Sequence, residues 1–341
     1  MNFNKLGILG DGAWGTALSM AFYKNFSDVL IYSRSQYIAD SINNNHYNPN
    51  YLQDIKLPNN IKATLNINEV AKLCDVILIV IPTQYIRDTI ALIKDINKDA
   101  IFLICSKGIE INSKKMISQI IIDELNNTLN YDVTNNIGVL TGPTFAREVM
   151  NGLPTTFVLA KASIEKSKDI CEKLKTESIR LYYSNDVIGT QIGGAAKNVI
   201  AIAAGIIEGA NLGHNALAGL ITRGLQELLS LSNYYGGSKD TIFGLSGLGD
   251  LVLTSTSINS RNFSLGYEIG KLGYYDSLII NEKLPGIAEG YYTSCALNEL
   301  IIDNNLSMPI CREVYEICYN GKSVETSIRS LMSRSLKSEI I

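Results

Sequence analysis

The sequence predicts an α/β fold in its first half, a doubly wound and mostly parallel sheet, followed by a mainly α-helical second half. Three observations carry this. Short apolar runs alternate with helical patterns up to about residue 186, a glycine turn joins the first run to the first helix, and beyond that point strand-like runs become scarce while helical spacing persists. Parallel neighbours in a sheet need long crossover connections, and helices are the usual ones.

The elements follow in order. Lys5–Leu9 reads as a strand, then a glycine turn and a helix from about Trp14 to Asn25. Val29–Tyr32 is the second strand. Val76–Ile81 is apolar at every position, as a strand covered on both faces must be. Ile101–Cys105, Ile137–Leu140, Thr155–Ala160 and Arg180–Tyr183 continue the series. Helical spacing then marks Val187–Ala210, Ala216–Tyr235, Glu289–Asn304 and Arg312–Tyr319. The expected division is residues 1–187 as a dinucleotide-binding, Rossmann-like domain and residues 188–341 as a helical domain.

The 341 residues carry 30 basic and 33 acidic side chains, a net charge of −3 that gives no support to a nucleic-acid partner. Hydrophobic residues make up 46% and charged residues 18%, so the chain is globular rather than disordered. The longest apolar stretch, Val199–Ile207, is bracketed by Lys197 and Glu208, and the N-terminus lacks the features of a secretory signal. The expectation is a soluble, cytoplasmic protein without membrane insertion. The six scattered cysteines read as reduced core thiols, and with two histidines, His46 and His214, no cluster has zinc spacing, so no metal is expected.

The first strand runs into Gly10-Asp11-Gly12-Ala13-Trp14-Gly15, a G-x-G-x-x-G between strand and helix. Gly10 permits the tight turn, Gly12 lets backbone approach a pyrophosphate, and Gly15 lets helix and strand pack closely. The helix N-terminus adds free N–H groups and a positive dipole end. NAD enzymes usually place an acid at the end of the second strand, about 20 residues on. Here that strand ends Ile31-Tyr32-Ser33-Arg34, with no carboxylate. Arg34 is suited to a 2′-phosphate and to stacking on adenine, which favours NADP(H) or tolerance of NAD(H) as well.

Seven motifs then fall in a recognisable order: GDGAWGTAL from Gly10, SKGIE from Ser106, GPTFARE from Gly142, GAAKNVIAIAAGI from Gly194, GLGDLVLT from Gly247, SRN from Ser260 and GIAEGYYT from Gly286. Together they resemble the bacterial NAD(P)-dependent glycerol-3-phosphate dehydrogenases over about residues 5–320. The resemblance implies reversible reduction of dihydroxyacetone phosphate to sn-glycerol 3-phosphate, supply of glycerophospholipid synthesis and, by analogy, a homodimer. Asp11 departs from the family, which more often has a small residue there.

Reducing a ketone needs a hydride at carbon and a proton at oxygen. Lys197, among Ala, Ile and Gly, is the best proton donor in a chain short of histidine, because desolvation lowers a lysine pKa toward working pH. The resemblance assigns it that role; alone it would read as a snorkelling lysine. Ser260, Arg261 and Asn262 offer a hydroxyl, a guanidinium fork and an amide to a phosphate. Lys107 follows a buried strand, where ligand crevices open. The resemblance gives substrate contacts to Lys107, Gly142, Thr144, Asp250, Ser260, Arg261 and Asn262. It gives cofactor contacts to Ala13, Trp14, Arg34, Lys107, Ala146, Arg261, Ile287 and Glu289, beside the fingerprint glycines. Blander readings stand next to these: a helix cap for Ser260 or Asp250, a Gly-Pro turn at Gly142, core packing for Trp14. Rival functions are a related dehydrogenase of non-phosphorylated acids and a nucleotide sensor without chemistry; a purely structural role fits least.

Overall fold

The computed structural model describes residues 3–284, 286, 288–336 and 338–339. Eight strands form one sheet: β1 Lys5–Leu9, β2 Asp28–Tyr32, β3 Ile61–Thr64, β4 Val76–Ile79, β5 Ile101–Ile104, β6 Ile137–Thr141, β7 Thr155–Lys161 and β8 Ile179–Ser184. Their order is β3-β2-β1-β4-β5-β6-β7-β8. From β1 the chain winds outward through β2 and β3, then returns to the other side of β1 as β4. The order reverses there, and the carboxyl ends of β1 and β4 border the crevice that such a reversal creates. Leu6 registers with Val29 on one side and Val76 on the other. β4 and β5 are buried at every residue, which explains their unbroken apolar runs.

All pairings are parallel except β6 with β7, where Gly138 faces Lys161 and Thr141 faces Val158. The segment 142–154 between them is too short for a full crossover and holds only the helix Ala146–Met150. It therefore stays at the crevice edge of the sheet. β3 was not expected. It is a four-residue edge strand whose Lys62 faces solvent, so it offers no apolar run to read. The first helix is Ala13–Phe22, shorter than expected; a tight turn follows, and Asn25 donates to the carbonyls of Lys173 and Lys175 at 2.6 and 2.9 Å.

The second half packs helices around one long helix, Val187–Gly209. This helix is long and apolar enough to cross a membrane, with a mean hydropathy of 1.3, but 89% of that window is buried in the fold. It is the core of the helical half. The helix Arg261–Leu272 crosses it at backbone distance. A Cβ on Gly205 or Gly209 would overlap the carbonyls of Phe263 or Tyr267; one on Gly266 or Gly270 would overlap those of Ile202 or Ile206. Each helix thus brings two glycines, four residues apart and on one face, to the crossing. All six cysteines are free thiols, five of them buried.

Candidate active site

The long helix meets the sheet at Gly194, where a Cβ would stand 3.2 Å from Lys107 Cγ and 3.6 Å from Thr141 Oγ1. One turn later comes Lys197, 4% exposed and in the middle of the helix. It does not snorkel. Its Nζ donates to Asp250 Oδ1 at 2.7 Å and to the Thr254 hydroxyl. Burial pushes the ammonium down to about 8, with the Asp250 carboxylate resisting that shift and the Lys107 charge adding to it.

Asp250 opens the helix Asp250–Ser255 and is completely buried. Its carboxylate caps no backbone N–H among the described residues. Oδ1 receives Lys197, and Oδ2 receives Lys107 at 2.6 Å. Lys107 Nζ also donates to the Gly142 carbonyl at 3.2 Å, and Thr144 Oγ1 donates to the same carbonyl at 3.3 Å. One buried carboxylate therefore joins the long helix to the loops that follow β5 and β6. The loop carrying Lys107 is held in turn. Ser106 Oγ donates to the Ile81 carbonyl at 2.6 Å, and Arg87 makes a paired bond to Glu110 at 2.9 and 2.7 Å.

The glycine turn fits a dinucleotide on several counts. A Cβ on Gly15 would overlap the Gly10 carbonyl, whereas one on Gly12 would meet nothing within 4 Å, so the turn is tight behind and open in front. Gly12 caps the Ala13–Phe22 helix without a side-chain bond, leaving N–H groups available to phosphate. Trp14 is partly buried and stacks on Phe157, with ring centroids 6.1 Å apart, so it packs beneath the turn while keeping an exposed edge. Ala146 starts the short helix that packs on the Ala13–Phe22 helix. Arg34 is exposed, its guanidinium 5.8 Å from the centroid of the Tyr85 ring.

Ser260 caps the Arg261–Leu272 helix, accepting the Phe263 N–H at 3.2 Å, as the blander reading has it; the cap leaves its hydroxyl proton available. Asn262 Oδ1 accepts the Gly290 N–H at 2.9 Å, and Gly290 packs on the carbonyl of Asn198, next to Lys197. Arg261 is exposed and has no hydrogen-bonded partner among the described residues. It lies near Glu289, whose carboxyl is pushed up to about 7 by burial, offset in part by Thr83 and the Arg261 charge. Thr83 and Glu289 face each other across Gly108, and Thr141 Oγ1 is a buried polar atom without a hydrogen-bond partner among the described residues, which suits it to a ligand between the halves. Ile287 lies outside the described residues.

The structure adds residues that the motif reading passed over. Thr254 sits four positions after Asp250 on the same helical face, and that spacing is the signal for it. Gly108 has room for no side chain: a Cβ would lie 3.0 Å from Thr83 Cβ and 3.2 Å from Glu289 Oε2. Asn48 is fully buried and donates to the Asp11 carbonyl at 2.7 Å and to Thr16 Oγ1 at 2.9 Å, bracing the glycine turn from a polar loop that gives no sequence sign of it.

Comparison with known proteins gives one answer across the chain. Residues 5–167 match the family model described as the NAD-dependent glycerol-3-phosphate dehydrogenase N-terminus, and residues 186–329 match that of its C-terminus. The glycerol-3-phosphate dehydrogenase (NAD(P)+) 1 of Lactobacillus delbrueckii subsp. bulgaricus is 37% identical over 98% of this chain and 99% of its own. The Bacillus subtilis glycerol-3-phosphate dehydrogenase (NAD(P)+) is 38% identical over 98% and 96%. The crystal structure of the Coxiella burnetii glycerol-3-phosphate dehydrogenase superposes with a TM-score of 0.88 at 30% identity, covering 97% of this chain and 99% of that one. With both halves matched in order and the Lys197–Asp250–Lys107 cluster between them, the chain belongs to the NAD-dependent glycerol-3-phosphate dehydrogenase family.

Proposed function

We propose that this chain reversibly reduces dihydroxyacetone phosphate to sn-glycerol 3-phosphate, with Lys197 as proton donor and acceptor. The observation that carries the reading is a buried amine held by a carboxylate that also holds a second cation. A bound nicotinamide supplies the hydride. Lys197 Nζ gives its proton to the substrate oxygen and is left neutral, and Lys107 offsets the negative charge developing on that oxygen. Asp250 and Thr254 aim the amine. Arg261, unpaired by the described residues, binds the phosphate with Ser260 and Asn262. Gly142 and Thr144 close the site from the sheet side, while Gly10, Gly12, Ala13, Trp14, Gly15, Arg34, Ala146 and Glu289 border the cofactor. Residues 1–187 are the dinucleotide domain and 188–341 the substrate domain in this reading. The product is the backbone of glycerophospholipids, so the enzyme feeds their synthesis from the cytoplasm.

Oxidation of NADH and NADPH by the purified protein with dihydroxyacetone phosphate tests this. Turnover is expected to fall about 10²–10⁴-fold in Lys197→Ala, the range for a lost general acid. Reduction uses the charged amine and declines as pH rises through about 8; oxidation uses the neutral amine and gains over the same range. Folded protein that turns over only non-phosphorylated keto acids would overturn the assignment, and so would an undiminished Lys197→Ala variant.

A further inference from the structure

The end of β2 holds a charge that the reaction above does not use. In dinucleotide-binding sheets an acid at this position accepts the 2′-hydroxyl of the adenosine ribose. Here the position is Ser33, 1% exposed. A carboxylate reaches it from another part of the chain. Asp11, between the first two fingerprint glycines, accepts the Ser33 hydroxyl through Oδ2. Ser33 is fixed as well by accepting the Ser35 N–H at 3.0 Å. The Asp11 backbone is fixed from its other side by Asn48, whose Nδ2 is 2.7 Å from the Asp11 carbonyl. Asp11 itself is only partly buried, and its Oδ1 has no partner among the described residues.

We propose that Asp11 reads the 2′ position of the adenosine ribose, replacing the missing acid of β2. Its free oxygen accepts a 2′-hydroxyl and its charge repels a 2′-phosphate, so the chain prefers NAD(H) to NADP(H). Arg34 is the opposing group. It is the cation next to Ser33 in the chain, and stacked over Tyr85 it is placed to cover adenine, a role that serves either cofactor. The inference rests on the dinucleotide site assigned above and sharpens it: Arg34 alone favours NADP(H), and the Asp11 carboxylate reverses that preference.

Trp14, the single tryptophan, lies in the same turn and reports binding directly through quenching of its fluorescence. Titration with NADH and with NADPH, without substrate, is expected to show NADH bound at least tenfold more tightly by the wild type. Rising salt narrows that gap, because the repulsion is screened. Asp11→Asn, which keeps the Ser33 contact and removes the charge, and Asp11→Ala are both expected to shift the ratio of dissociation constants at least tenfold toward NADPH. A wild type that binds NADPH as tightly as NADH overturns the inference. So does an unchanged ratio in two variants that still bind. A wild type that binds neither dinucleotide overturns the cofactor site itself, an outcome distinct from the other two.

Discussion

In the sheet, β4 and β5 are buried along their whole length and carry only Val, Ile, Leu and Phe. The long helix Val187–Gly209 is buried almost as completely, yet Gln191, Lys197 and Asn198 lie inside it. The difference comes from where each element finds its backbone partners. A buried strand is satisfied only by its neighbours, and both its faces are packed, so its chemistry is pushed to the loops at its ends, as with Lys107 and Gly142. A helix satisfies its own backbone and can carry an ionisable group to the middle of a core, provided one partner answers it. Lys197 is desolvated because it sits mid-helix, and it remains useful because Asp250 faces it.

The sharpest way to break this contrast is to remove the partner. Asp250→Asn leaves two lysines facing each other without a carboxylate. A stability loss of about 3–5 kcal/mol is expected, the usual cost of stranding a buried charge. Because Asp250 resists the fall in the Lys197 pKa, its loss lowers that pKa below 8. The decline of the reduction rate with pH then moves to lower pH. Urea unfolding and a pH–rate profile measure the two effects separately. A destabilised variant with an unmoved profile would show that Asp250 supports the fold and not the amine.

The next prediction concerns how the helical half closes. Gly266→Ala puts a methyl group into the Ile202 carbonyl, and Gly205 answers it from the other helix. Backbone, not a flexible side chain, must give way, so a loss of about 3 kcal/mol is expected. It would appear as a lower urea midpoint with an unchanged slope. A loss below about 1 kcal/mol would mean that the two helices are free to separate.

How far the sequence disclosed all this follows the same contrast. Seven of the eight strands were legible: β4, β5 and β6 because burial on both faces leaves an apolar run, and β8, though half-exposed, because its Leu-Tyr-Tyr run is strand-prone. β3 was not, since an edge strand with an exposed lysine has no such run. The direction of β7 was hidden because a strand's composition does not record which way it runs. In the helical half, Lys197 stood out only through its motif; a lysine among alanines says nothing by itself about a carboxylate 53 positions away. The paired glycines at 205, 209, 266 and 270 were each visible, but the crossing that needs them joins two distant segments. Asp11 was seen as a departure from family pattern, and only the fold shows where its side chain goes.

The last prediction concerns a buried charge in the helical half that serves structure rather than chemistry. Glu227, 4% exposed on the helix His214–Tyr235, accepts the N–H groups of Ile310 and Cys311 at 2.6 and 3.0 Å. These are orphan donors at the start of the helix Pro309–Asn320, whose own cap residue, Met308, makes no side-chain bond. Glu227→Ala leaves both donors buried and unsatisfied, at an expected cost of about 2 kcal/mol. Burial pushes the Glu227 carboxyl up to about 7, although the two N–H groups pull it down. The unfolded chain releases this proton near the ordinary glutamate value of 4.5, and the folded chain keeps it to about 7. Between those values the folded state binds more protons. The contribution of this group is therefore complete below pH 4.5 and is lost as pH rises through 7, with a slope of at most about 1.4 kcal/mol per pH unit. Glu227→Gln, which does not titrate, should flatten that part of the stability profile while the Lys197-dependent activity profile stays in place. If the slope persists in Glu227→Gln, the titrating group lies elsewhere, and Lys197 and Asp250 would no longer be distinguished from Glu227 by the work their charges do.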